Sequence, residues 1–393
     1  MKPVLNILSA GLLLLLFALL PACGTLTSPP APTRARMIFI GDIMVHQNQL
    51  DAAKKNGTWD FKPHFSLVKP FFYNAFVVGN LETVFAGEKQ IFSGYPRFNA
   101  PDELADALSD LGVNLVTLAN NHILDRKPSG AIRTAKALER YGIQWTGLAY
   151  GNRRPNEALV LEYAGLRWAF VNFTYGSNEP VPSSDDKSPF HLNIISDETI
   201  KEGLLNARAA DPDITVACFH WGVEYRHVPT KQQREVVALS IREGADLVIG
   251  THPHVLQPVE IIRSEHGHNL VAYSLGNFVS SQRTPPRERS LILAVDVVKN
   301  EGETARISMV SIAPTQVSYT RLSCRDLIEV VYAGENFNQA GLTQKGRQKA
   351  QRAGTAVLDF IGAATVPDQD GFYTLWSADA PDILPQSRRK TPE

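Results

Sequence analysis

Leu247-Val248-Ile249-Gly250-Thr251-His252-Pro253-His254 is the stretch on which the reading of the fold turns. A short run of apolar β-formers ends at a glycine, and two histidines one residue apart follow. Five other runs end in a comparable way. Residues 37–40 lead into Gly41-Asp42, 75–78 into Gly79-Asn80-Leu81-Glu82, and 113–119 into Asn120-Asn121-His122. Residues 214–219 lead into His220, and 270–275 into Gly276-Asn277. Continuous apolar runs of this length suit strands buried on both faces.

Helical patterns lie between the runs. Residues 102–111 place Leu104, Leu108 and Leu111 on one face, with Gly112 as the cap. From Ser129 a second pattern turns Ile132, Ala135 and Leu138 inward and stops at Gly142. Thr230 and Gln233 form a capping box before Val236, Val237 and Ile241, and Gly244 ends that helix. Alternating strand and helix predicts an α/β domain with a largely parallel sheet. From Ser290 the rhythm changes to a β-hairpin, 291–298 and 306–312 about Asn300-Glu301-Gly302. This adds antiparallel strands and a candidate second sheet packed on the first. The main domain is thus read as 37–320. A C-terminal extension, 321–393, follows; it reads as mainly helical to about Ile361, then Pro- and Asp-rich with a basic end.

The first 23 residues stand apart from the 393-residue average. Lys2, an apolar stretch over 12–20 and small Ala22 read as a secretory signal, too short to span a bilayer comfortably. Leu20-Pro21-Ala22-Cys23-Gly24 resembles a bacterial lipobox, with Cys23 as the lipidated residue and 24–36 as a Ser/Pro/Thr-rich tether. The expectation is an exported lipoprotein of the bacterial envelope, held to a membrane by its lipid. Cys218 and Cys324 give no disulfide framework, and Cys218 reads as a buried small hydrophobe. A formal net charge of −1 exerts no global pull on nucleic acid, so no nucleic-acid partner is expected.

Ligands of open α/β sheets bind beyond the carboxyl ends of the strands. Six strand ends carrying Asp, Asn, Glu or His therefore predict one polar corner. Carboxylate with imidazole suits Mn, Zn or Fe, and the absence of thiolates argues against a structural zinc cluster. A bridging carboxylate with His and Asn on either side could hold two ions, a device that activates water and clamps phosphoryl or acyl oxygens. On an extended segment His252 and His254 would point the same way. Asp42 reads either as a ligand or as a helix N-cap, and Glu82 as a ligand or a solvated loop charge. His46, His64, His191, His227, His266 and His268 read as loop histidines, His46 lying near the site.

Taken in order, Gly41-Asp42-Ile43-Met44, Gly79-Asn80-Leu81-Glu82, Ala119-Asn120-Asn121-His122 with Asp125, His220-Trp221-Gly222-Val223-Glu224-Tyr225, Gly250-Thr251-His252-Pro253-His254-Val255-Leu256-Gln257 and Tyr273-Ser274-Leu275-Gly276-Asn277-Phe278 form a recognisable set. It resembles the CapA-type family of capsule and poly-γ-glutamate biosynthesis proteins, which is similar to the calcineurin-like metallophosphoesterases. The resemblance implies a four-layer α/β/β/α sandwich with a metal site at one edge. It implies Asp42, Glu82, Asn121, His220, His252 and His254 as ligands to one or two divalent ions, with Asn80 and Asn277 as further ligands or as partners behind them. His122 would be the catalytic acid; Asp125 either orients it or caps the next helix. Two positions depart from the phosphoesterase pattern: Met44 stands where it has histidine, and Asn80 where it has the bridging aspartate.

The function implied is a metal-dependent hydrolase outside the cytoplasm, acting on a phosphorylated substrate or an anionic polymer. Glu224, Tyr225 and Arg226, with Lys231, are candidate substrate contacts. The alternative is a non-catalytic component that binds or exports the polymer alongside capsule-assembly proteins.

Overall fold

Thr33–Ile43 forms β1, the strand about which the first sheet is built. This computed structural model describes residues 31–182, 190–265, 267–321, 326–335 and 342–380, and Pro32–Glu393 is one compact unit. After β1 come α1 (Gln47–Ala53), a small hairpin of β2 (Lys54–Lys55) and β3 (Thr58–Trp59), and then β4 (Phe76–Leu81). Next are α2 (Glu103–Leu111), β5 (Val113–Thr117), α3 (Lys127–Arg140), β6 (Gln144–Thr146) and β7 (Leu148–Tyr150). The second half opens with β8 (Leu159–Tyr163), β9 (Leu166–Thr174), β10 (Phe190–Leu192) and α4 (Asp197–Arg208). It continues through β11 (Ile214–His220), α5 (Lys231–Arg242), β12 (Leu247–Thr251), β13 (Val259–Ser264) and β14 (Gly267–Ala272). The chain then returns to the first sheet with β15 (Asn277–Val279), β16 (Arg289–Lys299), β17 (Arg306–Arg321) and β18 (Asp326–Tyr332). Helix α6 (Gln344–Ile361) and β19 (Tyr373–Ser377) follow.

The first sheet has the order β18-β17-β16-β1-β4-β5-β6, with β15 also on β1 and β19 on β17; the second is β13-β14-β12-β11-β9-β8. Strands β1, β4, β5 and β6 run parallel, as do β9, β11, β12 and β14. Strand alternation makes the layers. Trp168 and Phe170 of β9 join the core shared with the first sheet, while Ala169, Val171 and Phe173 pack with Ile200 and Leu204 of α4 and Val236 and Val237 of α5. On the far side of the first sheet, α2 and α3 add Leu104, Leu108, Ala131 and Leu138. The result is the expected α/β/β/α sandwich. Each fully buried large apolar side chain contributes roughly 1.5–3 kcal/mol to it.

The three helices read from the sequence form where expected. Gly112 caps α2 in the left-handed region (φ 101°), and Thr230 with Gln233 closes the capping box of α5. Three expectations are corrected. Residues 33–36 are not tether: they pair with Asp296–Lys299 of β16 as part of β1. The hairpin does not make a second sheet; β16 pairs directly with β1 and widens the first one. The extension is not a region apart, because β18 and β19 both pair with β17 and only α6 is helical among its described residues. Residues 326–332, read as helical, contain Ile328, Val330 and Val331, whose β-branched side chains favour the sheet. The signal over 1–23 with Cys23, the tether to residue 30, and Cys324 lie outside the described residues. Among the described residues no helix is long and apolar enough to cross a membrane.

Candidate metal centre

The parallel strands of both sheets deliver their carboxyl ends to one corner. β1 reaches it past Gly41, where a Cβ would meet the Gly276 carbonyl oxygen at 1.9 Å; only glycine lets β1 lie this close to the loop before β15. Asp42 follows, fully buried, its N–H donating to the Gly276 carbonyl at 3.0 Å. Asn80, on β4, and Glu82, just past its end, are two residues apart and face the same side. Asn80 Oδ1 accepts from the Thr117 hydroxyl (3.2 Å) and the Asn120 amide (3.4 Å), which fixes the orientation of its own amide. Its Nδ2 then donates to Asp42 Oδ1 at 2.8 Å and to Glu82 Oε2 at 3.4 Å. Asn80 therefore supports the carboxylates with hydrogen bonds rather than facing the centre with its oxygen. Glu82 reaches past it, so neither the loop-charge reading of Glu82 nor the N-cap reading of Asp42 applies. Burial, and next the charge of Asp42, raises the Glu82 carboxyl well above the usual carboxylate range.

His220 ends β11. Its Nδ1 meets the Thr251 hydroxyl at 3.1 Å and its Nε2 meets Asn121 Oδ1 at 2.9 Å. Burial, and then the neighbouring His252, pushes its pKa well below the usual value. His252 and His254 do share one site, their ring centroids 5.8 Å apart, but not through an extended segment. β12 stops at Thr251, and the chain bends with His252 (φ 96°) and His254 (φ 57°) in left-handed conformations. Left-handed backbone at non-glycine residues costs about 1–3 kcal/mol each and concentrates at functional sites. His254 Nδ1 lies 3.0 Å from Asp42 Oδ2 and 3.1 Å from Asn277 Oδ1. Asn277 is thus a partner behind His254, its own amide donating to the Arg287 carbonyl at 2.9 Å. His252 is held down to about 3 by burial and then by His254.

At the edge of this cluster His122 Nδ1 faces Asp125 Oδ2 at 2.8 Å, and the same oxygen accepts from the Phe98 N–H at 2.7 Å. Asp125 orients His122 and does not cap α3, whose N-cap is Arg126. The exposed Glu224 carboxylate stands within ligand reach of His252 and His254. Tyr225 forms part of the rim, its ring 6.1 Å from that of His254. The Arg226 side chain is exposed nearby, and Lys231 pairs with Glu235 on the outer surface of α5.

Three residues here were not identified from the sequence as site residues. Tyr175 packs over His252 (4.7 Å between centroids) and His220 (6.2 Å), and Asn178 Nδ2 sits 3.3 Å from His122 Nε2. Both follow β9, whose apolar run ends in Thr174-Tyr175-Gly176, a strand end with a glycine but without the Asp, Asn, Glu or His that marked the other six. His46 stays a loop histidine, at the N-cap of α1, near the site as expected: it packs edge-on against Phe98, and burial, then the nearby His254, lowers it to about 4.

The donor set fits a cation. Glu82 Oε1 is buried with no hydrogen-bond partner, 3.7 Å from Nε2 of both His220 and His254, and buried His252 Nδ1 also lacks a partner. Donor atoms of Glu82, His220 and His252 lie within 4.8 Å of one another, and so do those of Asp42, Glu82 and His254. Glu82 belongs to both triplets, with Asn121 beside the first. Shared carboxylate, imidazoles and no thiolate match Mn, Zn or Fe.

The protein is similar in sequence to the capsule biosynthesis protein CapA of Bacillus anthracis, 28% identical over 272 residues, covering 65% of this chain and 64% of that protein. The alignment thus spans less than two thirds of that relative. The PGA biosynthesis protein CapA of Bacillus subtilis (strain 168) is 25% identical over 306 residues, covering 76% of this chain and 78% of that one. Among solved structures, the NAD nucleotidase NadN of Haemophilus influenzae aligns with a TM-score of 0.43 at 12% identity, over 82% of this chain and 63% of that one. The family model described as bacterial capsule synthesis protein PGA_cap matches residues 36–282, from the base of β1 through Asn277. That is more than half of the sequence and takes in each of the strand ends that build the corner, and the chain belongs to this capsule synthesis family.

Proposed function

We propose that the protein is a metal-dependent hydrolase of the cell envelope, acting on a phosphoester, or on an amide or ester of an anionic polymer, in capsule or poly-γ-glutamate synthesis. The supporting observation is Glu82 Oε1, buried without a partner and 3.7 Å from Nε2 of both His220 and His254. One or two divalent ions held by Asp42, Glu82, His220, His252, His254 and Asn121 would supply Lewis acidity and activate water. The protein's own groups do the rest. Asp125 is placed to accept from His122 Nδ1–H, which turns Nε2 toward the site, where the imidazolium form would give its Nε2 proton to the leaving group and return to neutral. Asn178 sits against that same nitrogen, and Tyr175 covers the imidazoles of His220 and His252 from one side. On the lipoprotein reading of residues 1–23, with Cys23 as the attachment point, this chemistry would take place outside the cytoplasm on a membrane surface.

A second reading is a binding or export component without catalysis. It is favoured by the hydrogen bond from Asn80 to Asp42, which already engages one candidate ligand. The two readings separate on protein lacking residues 1–23. Elemental analysis and hydrolysis of bis(p-nitrophenyl) phosphate should show metal and turnover, both lost in His252→Ala. Neither metal nor turnover after loading with Mn, Zn or Fe would remove the enzyme reading, and retention of γ-linked glutamate polymer by that inert protein would establish the second.

A further inference from the structure

We propose that Arg287 forms an anion subsite at the lip of the metal centre, gripping a carboxylate or phosphoryl group of the substrate next to the reacting bond. The proposal deepens the substrate class of the function above and rests on that placement of the site.

The argument starts from how Arg287 is held. Its guanidinium carbon lies 3.5 Å from the centroid of the Tyr225 ring. A guanidinium stacked on a ring keeps its N–H edge free, and that planar fork matches two oxygens of a carboxylate or phosphoryl group. Tyr225 is itself fixed: its N–H donates to the Pro253 carbonyl at 2.7 Å, between the two histidines, and its backbone is left-handed (φ 65°). The Arg287 carbonyl accepts from Asn277 Nδ2 at 2.9 Å, the side chain that backs His254. Both ends of the arginine are therefore tied to residues that position His254, and its charge sits one aromatic ring away from that imidazole.

Three other cations at this end of the molecule already have carboxylate partners. Arg97 and Lys127 share Glu179, at 2.5 and 3.3 Å, and Arg289 lies 3.9 Å from Glu288. Among the described residues no ion pair includes Arg287. The Glu224 carboxylate reaches the Tyr225 side chain and would repel an incoming anion; the Arg287 cation stacked on the same ring offsets that repulsion. Arg287 lies beyond residues 36–282, so nothing in the family match assigns it.

The test is equilibrium binding to metal-loaded protein of two probes, a γ-linked glutamate oligomer and inorganic pyrophosphate, with the oligomer's carboxamide form as the uncharged control. Arg287→Ala should weaken one of them by roughly 10- to 100-fold, the worth of a charge-assisted contact. Arg287→Lys, which keeps charge but not the fork, should fall between. Loss on the oligomer alone identifies a carboxylate, and loss on pyrophosphate alone a phosphoryl group. Tyr225→Leu, which removes only the stacking platform, should give a smaller loss of the same kind. Metal content and melting temperature should stay unchanged in Arg287→Ala. Equal affinity of wild type and Arg287→Ala for both probes would overturn the subsite, as would a wild type that binds neither. A wild type that binds a probe through Arg287 yet hydrolyses nothing would leave the subsite standing and remove the hydrolase.

Discussion

Asn80 Nδ2 donates to Asp42 Oδ1 at 2.8 Å, across the pairing of β1 and β4 in which these two residues are register partners. The amide takes up part of the negative charge that would otherwise repel between Asp42 and Glu82 inside the protein. It lets the metal-free chain fold with both acids buried.

Asn80→Asp should therefore pull stability and metal affinity apart. Without metal the variant loses a hydrogen bond to a charged group, worth about 1.5–3 kcal/mol, and gains a like charge. With divalent ions present, the added carboxylate should strengthen binding. The measurement is thermal melting with and without Mn or Zn. A larger metal-induced rise in Tm than in wild type, from a lower metal-free starting point, is expected; an unchanged rise would refute it.

Asp125→Asn should separate the proton-handling group from the metal ligands. Asp125 Oδ2 serves both His122 Nδ1 and the Phe98 N–H. An amide oxygen can still accept, but the amide no longer specifies which tautomer His122 adopts. Turnover should fall by roughly 10²- to 10⁴-fold, the usual worth of a positioned acid or base, with metal content unchanged. Loss of metal in this variant would mean that Asp125 acts through the centre and not through His122.

Gly41→Ala tests the closeness of the two chain segments. The new Cβ would lie 1.9 Å from the Gly276 oxygen and 2.9 Å from its carbon, both backbone atoms that cannot rotate aside. The backbone must shift at the residue before Asp42. A loss of about 2–4 kcal/mol in urea unfolding is expected, together with weaker metal binding. Unchanged stability would show that this edge of the sheet yields easily.

Acid should unfold the metal-free protein earlier than its composition suggests. Burial, helped by nearby histidines, holds His46 at about 4, His252 at about 3 and His220 well below its usual value. Unfolded, these rings titrate near about 6.5, so below that pH the unfolded chain binds more protons. Their stabilisation is complete above pH 6.5 and is lost as pH falls through their folded values, at about 1.4 kcal/mol per pH unit for each proton. Glu82 acts oppositely: its pKa is raised by burial and then by Asp42, so its contribution is present below the unfolded value and disappears as pH rises. Melting curves of metal-free protein between pH 4 and 8 should show the steepest loss below pH 6. A flat profile there would show that these rings are not buried neutral.

Much of this corner was legible because chemistry and position coincide in the sequence. Asp42, Glu82, His220 and the His252/His254 pair each follow an apolar run directly, and strands must end somewhere. What escaped depended on three dimensions. Tyr175 and Asn178 carry side chains that are common on loops, so their role appears only when β9 is found beside β11. Arg287 lies in the loop between β15 and β16, ten residues past Asn277, and reaches the rim through Tyr225. The left-handed turns at His252 and His254 follow from where β12 stops, which the apolar pattern does not set. The strand at 326–332 was missed because a short apolar stretch fits helix or sheet until its neighbour, β17, is known.

One strand runs from the entry of the folded unit to its candidate metal corner. Thr33 and Asp42 both lie on β1, nine residues apart, and at about 3.3 Å per residue the strand spans roughly 30 Å. Pairing on both sides stiffens it into a strut. The strut sets a standoff: Thr33 and the candidate metal corner are held at opposite ends of one stiff strand.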